Sequence, residues 1–164
     1  MKQKAKQLVL STCGATLLLL AAPRLLAQAA APIPAQLAAA KTAFLANAGS
    51  TPANSQLAVL AYNSVYQDIA QSHCYRLAAA PTDADLVLEV SVVSVFEGSA
   101  TPAQYIQLAV RDEKSQSLLW TVSESIPPAA REKTLEKNVT DSAQKVTADL
   151  ATLASGNSAT QPRN

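Results

Sequence analysis

The 164-residue sequence predicts an α+β fold: a single-domain sandwich in which a mixed five-stranded sheet is packed by two helices, in the order βαββββα. Three observations predict it. Apolar residues alternate along Asp85 to Phe96, as in a long strand. The segments Asn54 to Ser72 and Arg131 to Ala154 repeat them at three-and-four spacing, as in helices that bury one stripe. Two further alternating runs flank the polar stretch Glu113 to Gln116, as in a hairpin.

Thr42 to Ala46 is a short apolar run stopped by Asn47, Gly49 and Pro52, and reads as the first strand. Asn54 or Ser55 then caps a helix to about Ser72, where Leu57, Leu60, Ala61, Val65 and Ile69 make an apolar stripe that Asp68 interrupts. A brief strand from Tyr75 to Ala78 completes a strand-helix-strand unit, expected to be a right-handed parallel crossover. In the long strand, Leu86, Leu88, Val90, Val92 and Phe96 share one face, while Val87, Glu89, Ser91, Val93 and Val95 share the other; a strand apolar on both sides belongs near the sheet centre. Tyr105 to Asp112 points Ile106, Leu108 and Val110 inward, and the return strand is expected to do the same with Leu118, Trp120 and Val122. Pro127-Pro128 ends the sheet. Leu135, Val139, Ser142, Val146, Leu150 and Leu153 then line one side of the closing helix.

The ends of the chain follow other rules. Lys2, Lys4 and Lys6 precede a short apolar core from Leu8 to Ala22, and Ala27 and Ala29 are the small residues a signal peptidase reads, so residues 1–29 are expected to be a cleaved signal peptide and Ala30 the first mature residue. A spanning helix needs roughly 20 apolar residues. Here Ser11, Thr12, Cys13 and Gly14 dilute the run before Pro23 and Arg24 end it, so no stable membrane span is expected after cleavage. Cys13 does not sit in a lipidation motif, because Thr12 precedes it and the apolar core continues past it. Residues 30–40 read as an Ala-rich lead-in, 41–154 as the α/β domain and 155–164 as a disordered tail.

Cleavage changes the charge balance. The whole chain is nominally +1, but the leader removes Lys2, Lys4, Lys6 and Arg24 and no acid, leaving 9 basic and 12 acidic groups, net −3. Without a clustered basic face, nucleic acid and anionic lipid are not expected partners. Cys74 is the only mature cysteine, so no internal disulfide forms.

The run Thr82-Asp83-Ala84-Asp85-Leu86-Val87-Leu88-Glu89-Val90, with Tyr105-Ile106-Gln107-Leu108 and Arg111-Asp112 to Leu119-Trp120-Thr121, resembles small secreted bacterial proteins with a TolB N-terminal or LpoB-like α/β domain. The resemblance covers roughly Lys41 to Ala154 and implies a mixed sheet with packed helices in periplasmic accessory and protein-binding roles. It carries no catalytic residue.

The chemistry-bearing residues are few. His73 and Cys74 are adjacent, and neighbours on an extended chain point to opposite faces, which places a nucleophile-base hydrogen bond poorly. His73 is expected at the exposed helix end and Cys74 buried at the strand start. One histidine and no CxxC spacing give zinc no ligand set, so no metal and no cofactor are expected. Asp83 and Asp85, Glu89, and Asp112 with Glu113 could share acid-base work or hold a hard cation, but their spacing suits turns and strand starts better. No serine lies in Gly-x-Ser-x-Gly, and the glycines are isolated, so no phosphate loop is present in the sequence. Tyr62 and Tyr66, four apart on the first helix, and the outward Tyr105 are the candidate partner surface. Trp120 belongs to the inward row. The expected function is therefore a periplasmic or secreted envelope accessory or binding protein, monomeric and not an enzyme, whose partner is an envelope protein or polymer. The alternative is a small hydrolase with a carboxylate site.

N-terminal sequencing of the exported protein is expected to begin at or near Ala30; an intact Met1 on a membrane-embedded product would overturn the leader assignment.

Overall fold

A computed structural model describes residues 32–96, 98 and 102–156; the leader, and the tail beyond Gly156, fall outside these residues. Five strands form one mixed sheet: β1 (Thr42–Ser50), β2 (Arg76–Leu77), β3 (Leu86–Val95), β4 (Ala103–Asp112) and β5 (Leu118–Ile126). Their spatial order is β2-β1-β3-β4-β5. β1 runs parallel to both β2 and β3, while β3, β4 and β5 follow one another antiparallel. The helices α2 (Ser55–Ser72) and α3 (Glu132–Ala154) pack on the same face of the sheet and against each other. A further short helix, α1 (Ala35–Ala39), lies in the lead-in.

The core follows from alternation meeting a helical stripe. Leu88, Val90 and Val92 of β3 stand opposite Val110, Leu108 and Ile106 of β4, and all six are at most 1% exposed. Ala61, Val65 and Ile69 of α2 and Val139, Val146, Leu150 and Leu153 of α3 close over them, each without solvent contact. Each fully buried aliphatic side chain contributes about 1.5–3 kcal/mol over its exposed state, so this one face supplies most of the driving force for folding.

Local chemistry explains where the elements depart from the sequence reading. β1 runs on to Ser50, past the predicted stop at Ala46, because Asn47-Ala48-Gly49 forms an irregularity in the parallel ladder instead of a turn. Gly49 takes φ +80°, and its N–H donates to Asn47 Oδ1 at 2.8 Å. Asn54 is the N-cap of α2, yet its side chain caps nothing. It donates to Ser94 Oγ at 2.7 Å and accepts from Gln104 Nε2 at 2.9 Å, which ties the start of α2 to β3 and β4. The lead-in contributes to the core: Leu37 is fully buried, and the Tyr75 hydroxyl donates to the Leu37 carbonyl at 2.8 Å.

Two residues of the predicted inward rows are outside. Phe96 lies beyond the end of β3 and is 71% exposed. Leu118 pairs with Arg111 while Trp120 pairs with Val110, so Leu119 is an extra residue in β5 and Leu118 turns outward, 53% exposed. Trp120 keeps the helix-facing side but is only half-buried at the sheet edge.

The bulge sets a test. Leu108→Ala is expected to cost about 2–5 kcal/mol in urea melts, and Leu118→Ala to stay within about 0.5 kcal/mol of the parent. Comparable losses would mean that Leu118 faces the core.

Candidate functional site

The structure separates the acidic residues that the sequence offered as a site. Asp83 ends a short 3-10 turn, Pro81–Asp83, and is exposed. Asp85, two residues on, uses one oxygen to accept from the Lys41 N–H at 2.8 Å, the Thr42 N–H at 3.0 Å and the Thr42 hydroxyl at 3.0 Å. These bonds, the backbone ones foremost, hold its carboxyl below the ordinary aspartate range. Asp112 accepts from the Ser115 N–H and hydroxyl, both at 2.7 Å, which holds it low as well. Glu89 lies on the face of β3 away from the helices and pairs with Arg111 Nε at 2.9 Å. The Glu113 N–H donates to the Asp85 carbonyl at 3.2 Å.

Asp85 and Asp112 do meet, with Lys114, around a pocket of ≈ 180 Å³ below α1. Both are held ionised by scaffold bonds. A carboxylate pair that works as acid and base needs one member pushed up, as burial or a like charge would do. This pair has the opposite bias. Among the described residues no three His, Cys, Asp or Glu side chains cluster in a way that could hold a metal ion.

His73 is exposed at the C-terminal end of α2, in a left-handed conformation with φ 54°. Cys74 is half-buried and free, where the sequence reading buried it, and its Sγ lies 3.2 Å from Ser72 Oγ. Beside it, burial pushes the Tyr75 phenol up to about 12, with the neighbouring Cys74 adding to the shift.

The three tyrosines do not form one surface. Tyr62 and Tyr66 stack loosely on α2, ring centroids 6.4 Å apart, with Tyr62 half-buried against the core and Tyr66 46% exposed. Tyr105 stands between Val93 and Ser125 on the opposite side of the sheet, the face that carries no described helix. That face also holds Phe44, Ser91, Gln107, Thr121, Ser123 and the Glu89–Arg111 pair, most of them partly exposed.

Sequence reasoning missed three acids that burial singles out. Asp68 on α2 keeps Oδ2 buried without a hydrogen-bond partner among the described residues, and burial pushes its carboxyl up. Glu124 on β5 pairs across from Ile106 and so points to the helix side; burial pushes it up, the Asp149 charge adds to this, and Lys145 opposes it. Burial raises Asp149 of α3 too. The signal for Glu124 was present in the alternation Trp120, Val122, Glu124, Ile126, which sets an acid in an apolar row. Asp68 was legible as the break in the α2 stripe.

No family model matches the sequence, and no curated protein is recognisably similar to it in sequence. The fold is shared. A variant PelC dodecamer from Paraburkholderia phytofirmans is 14% identical, with 68% of this chain and 88% of that chain covered, at a TM-score of 0.50. Protein XCC0632 from Xanthomonas campestris, a DUF330 protein, is 14% identical over 76% of this chain and 90% of that chain, also at 0.50. No helix among the described residues is long and apolar enough to cross a membrane.

The two classes of acid give opposite pH signatures. Asp85 is lowered in the folded state, so its contribution is present above the unfolded aspartate value of about 3.9 and is lost as pH falls through the folded value. Asp85→Asn is expected to destabilise at neutral pH and to flatten the acid limb of the stability profile. Glu124 is raised, so folding is relatively favoured as pH falls, and Glu124→Gln is expected to raise the urea midpoint at pH 7 with the gain vanishing near pH 4. Denaturation from pH 3 to pH 8 checks both; a parent-like acid limb in Asp85→Asn, or a lower midpoint in Glu124→Gln, would contradict these assignments.

Proposed function

We propose that the mature protein is an exported accessory protein of the bacterial envelope, periplasmic or secreted, that works by binding another envelope protein and not by catalysis. The observation that carries this reading is the face of the sheet that no described helix covers. Along it apolar side chains (Phe44, Val93, Tyr105) alternate with hydrogen-bonding ones (Ser91, Gln107, Ser123) around the Glu89–Arg111 ion pair. Reversible protein interfaces have this mixture, about as apolar as ordinary surface with an aromatic anchor. The acids support the same reading, since Asp85 and Asp112 are tied into the scaffold and Glu89 into its ion pair. The leader-like N-terminus, and the resemblance to TolB N-terminal and LpoB-type domains, fit an envelope role.

The chain is proposed to be a monomer until it meets its partner. A second reading is favoured by the dodecamer of similar fold: the same face joins copies of this chain. Light scattering on the mature protein separates the two, a monomer mass supporting the first and a multiple of it the second.

Because Tyr66 and Tyr105 lie on opposite sides, one partner cannot use both. With a partner captured from envelope extract by the mature protein, Tyr105→Ala is expected to weaken binding by about 1–2 kcal/mol while Tyr66→Ala leaves it unchanged. Unchanged binding in Tyr105→Ala and in Gln107→Ala would remove the sheet face from consideration. Turnover of a peptide, ester or glycan substrate that a single carboxylate change abolishes would replace the binding reading with the hydrolase.

A further inference from the structure

We propose that the cleft between the last turn of α2 and the edge strand β2 is a binding site for the C-terminal carboxylate of an extended peptide. It goes beyond the sheet-face reading, because it lies at the β2 edge, with β1 and β3 between it and Tyr105 on β4, and stands or falls separately. The cleft has a volume of ≈ 330 Å³ and is lined by Tyr66, Ala70, His73, Tyr75, Arg76 and Leu77. None of these is acidic, in a mature chain that carries three more acids than bases.

Its side-chain donors, Arg76 and His73, have no hydrogen-bond or ion-pair partner among the described residues. Arg76 is exposed, and neither of the two ion pairs among the described residues uses it; those are Arg111–Glu89 and Lys137–Asp141. A guanidinium fork matches a carboxylate in bidentate fashion. His73, on the α2 wall, supplies a second donor, while Arg76, rooted by its pairing with Thr42 on the face away from α2, reaches the cleft around the edge of β2. His73 ends α2 in the left-handed region, which a side chain with a β-carbon adopts under strain, and it is held there as part of the cleft lining.

The strand edge supplies the main-chain half of the site. The Arg76 and Ala78 N–H groups donate to Lys41 and Ala43 of the β1 side, both at 2.9 Å. Alternation along a strand then directs the Leu77 N–H and carbonyl away from β1, off the open edge of the sheet. An extended peptide can pair with that N–H and carbonyl while its terminal carboxylate reaches Arg76 and His73, a combination of strand addition and carboxylate capture. β2 has two residues, so only the last two or three peptide residues are held. A sugar acid would use the cations but leave the Leu77 groups without main-chain partners. Tyr66, 46% exposed, and the Leu77 side chain offer an apolar wall for the terminal side chain. The Tyr75 hydroxyl is already committed to Leu37 and contributes only its ring.

One effect opposes an anion here. The C-terminus of a helix carries a partial negative charge, about half a unit. The full positive charge of Arg76 exceeds that partial charge.

The test uses the single histidine of the chain, whose imidazole proton resonance is assigned to His73 without labelling. Acetyl-Ala-Val-Leu with a free carboxylate is titrated into the mature protein, with its C-terminal amide and galacturonate as comparisons. The expected result is a saturable shift of the His73 resonance with the free acid, at least tenfold weaker with the amide and with galacturonate. Arg76→Ala should weaken free-acid binding at least tenfold, and Arg76→Lys, which keeps the charge and loses the fork, should fall between; Arg76 is exposed, and circular dichroism checks that both variants fold. Equal binding of the amide, an unaltered titration in Arg76→Ala, or no saturable shift at millimolar peptide would overturn the site. Equal binding of galacturonate would overturn the peptide as its ligand.

Discussion

A single carboxylate oxygen fastens the two halves of this sheet. Asp85 Oδ2 gathers the Lys41 and Thr42 N–H groups and the Thr42 hydroxyl, while the Asp85 N–H returns to Thr42 and the Asp85 carbonyl receives the Glu113 N–H. The start of β1, the start of β3 and the turn between β4 and β5 thus meet at one residue. Parallel strands lack a hairpin to set their register, and β1 and β3 are separated by a helix and an edge strand. A charge-assisted cluster at the first residues of both strands supplies the register that the chain connection does not. Everything downstream of that alignment, from the Ala43–Leu86 pairing to the closure of α2 and α3 over Leu88 and Val90, depends on the strands starting level.

The fold was legible where a period is unambiguous. Ser55–Ser72, Leu86–Val95 and Glu132–Ala154 fall where three-and-four spacing and alternation place them, and the five-stranded mixed sheet with two packed helices follows from their order. Legibility failed where one residue is out of step. The extra Leu119 in β5 flips Leu118 outward, and an added residue leaves no trace in a sequence that is apolar at both positions. Asn47 and Gly49 read as a stop because those residue types serve bulges and turns alike. Of the candidate surface, the outward orientation of Tyr105 was readable from strand parity. That Tyr62 and Tyr66 lie on the other side was not, since parity within one element says nothing about which face of the sheet a helix covers. Arg76 drew no notice at all, because an unpaired cation becomes conspicuous only when its neighbours are seen to lack acids.

The two-layer construction gives the protein two unlike surfaces. On one side the helices are interrupted by a cationic cleft at the short edge of the sheet; on the other, a broad pleated face keeps its polar and apolar residues interleaved. Antiparallel sheets tolerate such a wetted face because alternate residues can serve water while the others serve the core. Phe44 and Val93 show how far that tolerance is taken here, as they are partly exposed apolar side chains on the side where no described helix covers them.

Glu124 has a further consequence. β5 is the longer of the two edge strands, nine residues against two, and its outer row of backbone groups has no partner strand among the described residues. Such a seam invites copies of the chain to add themselves side by side, the first step toward aggregation. Three features interrupt it: the extra Leu119 breaks its regularity, Pro127 closes its end, and Glu124 sets an inward-pointing charge near its far half. At an edge that carboxylate still reaches water around the rim, but an added strand would seal it in. The desolvation that weakens the fold at neutral pH is therefore also what discourages stacking, so solubility at high concentration and stability of the single chain pull against each other at this one residue.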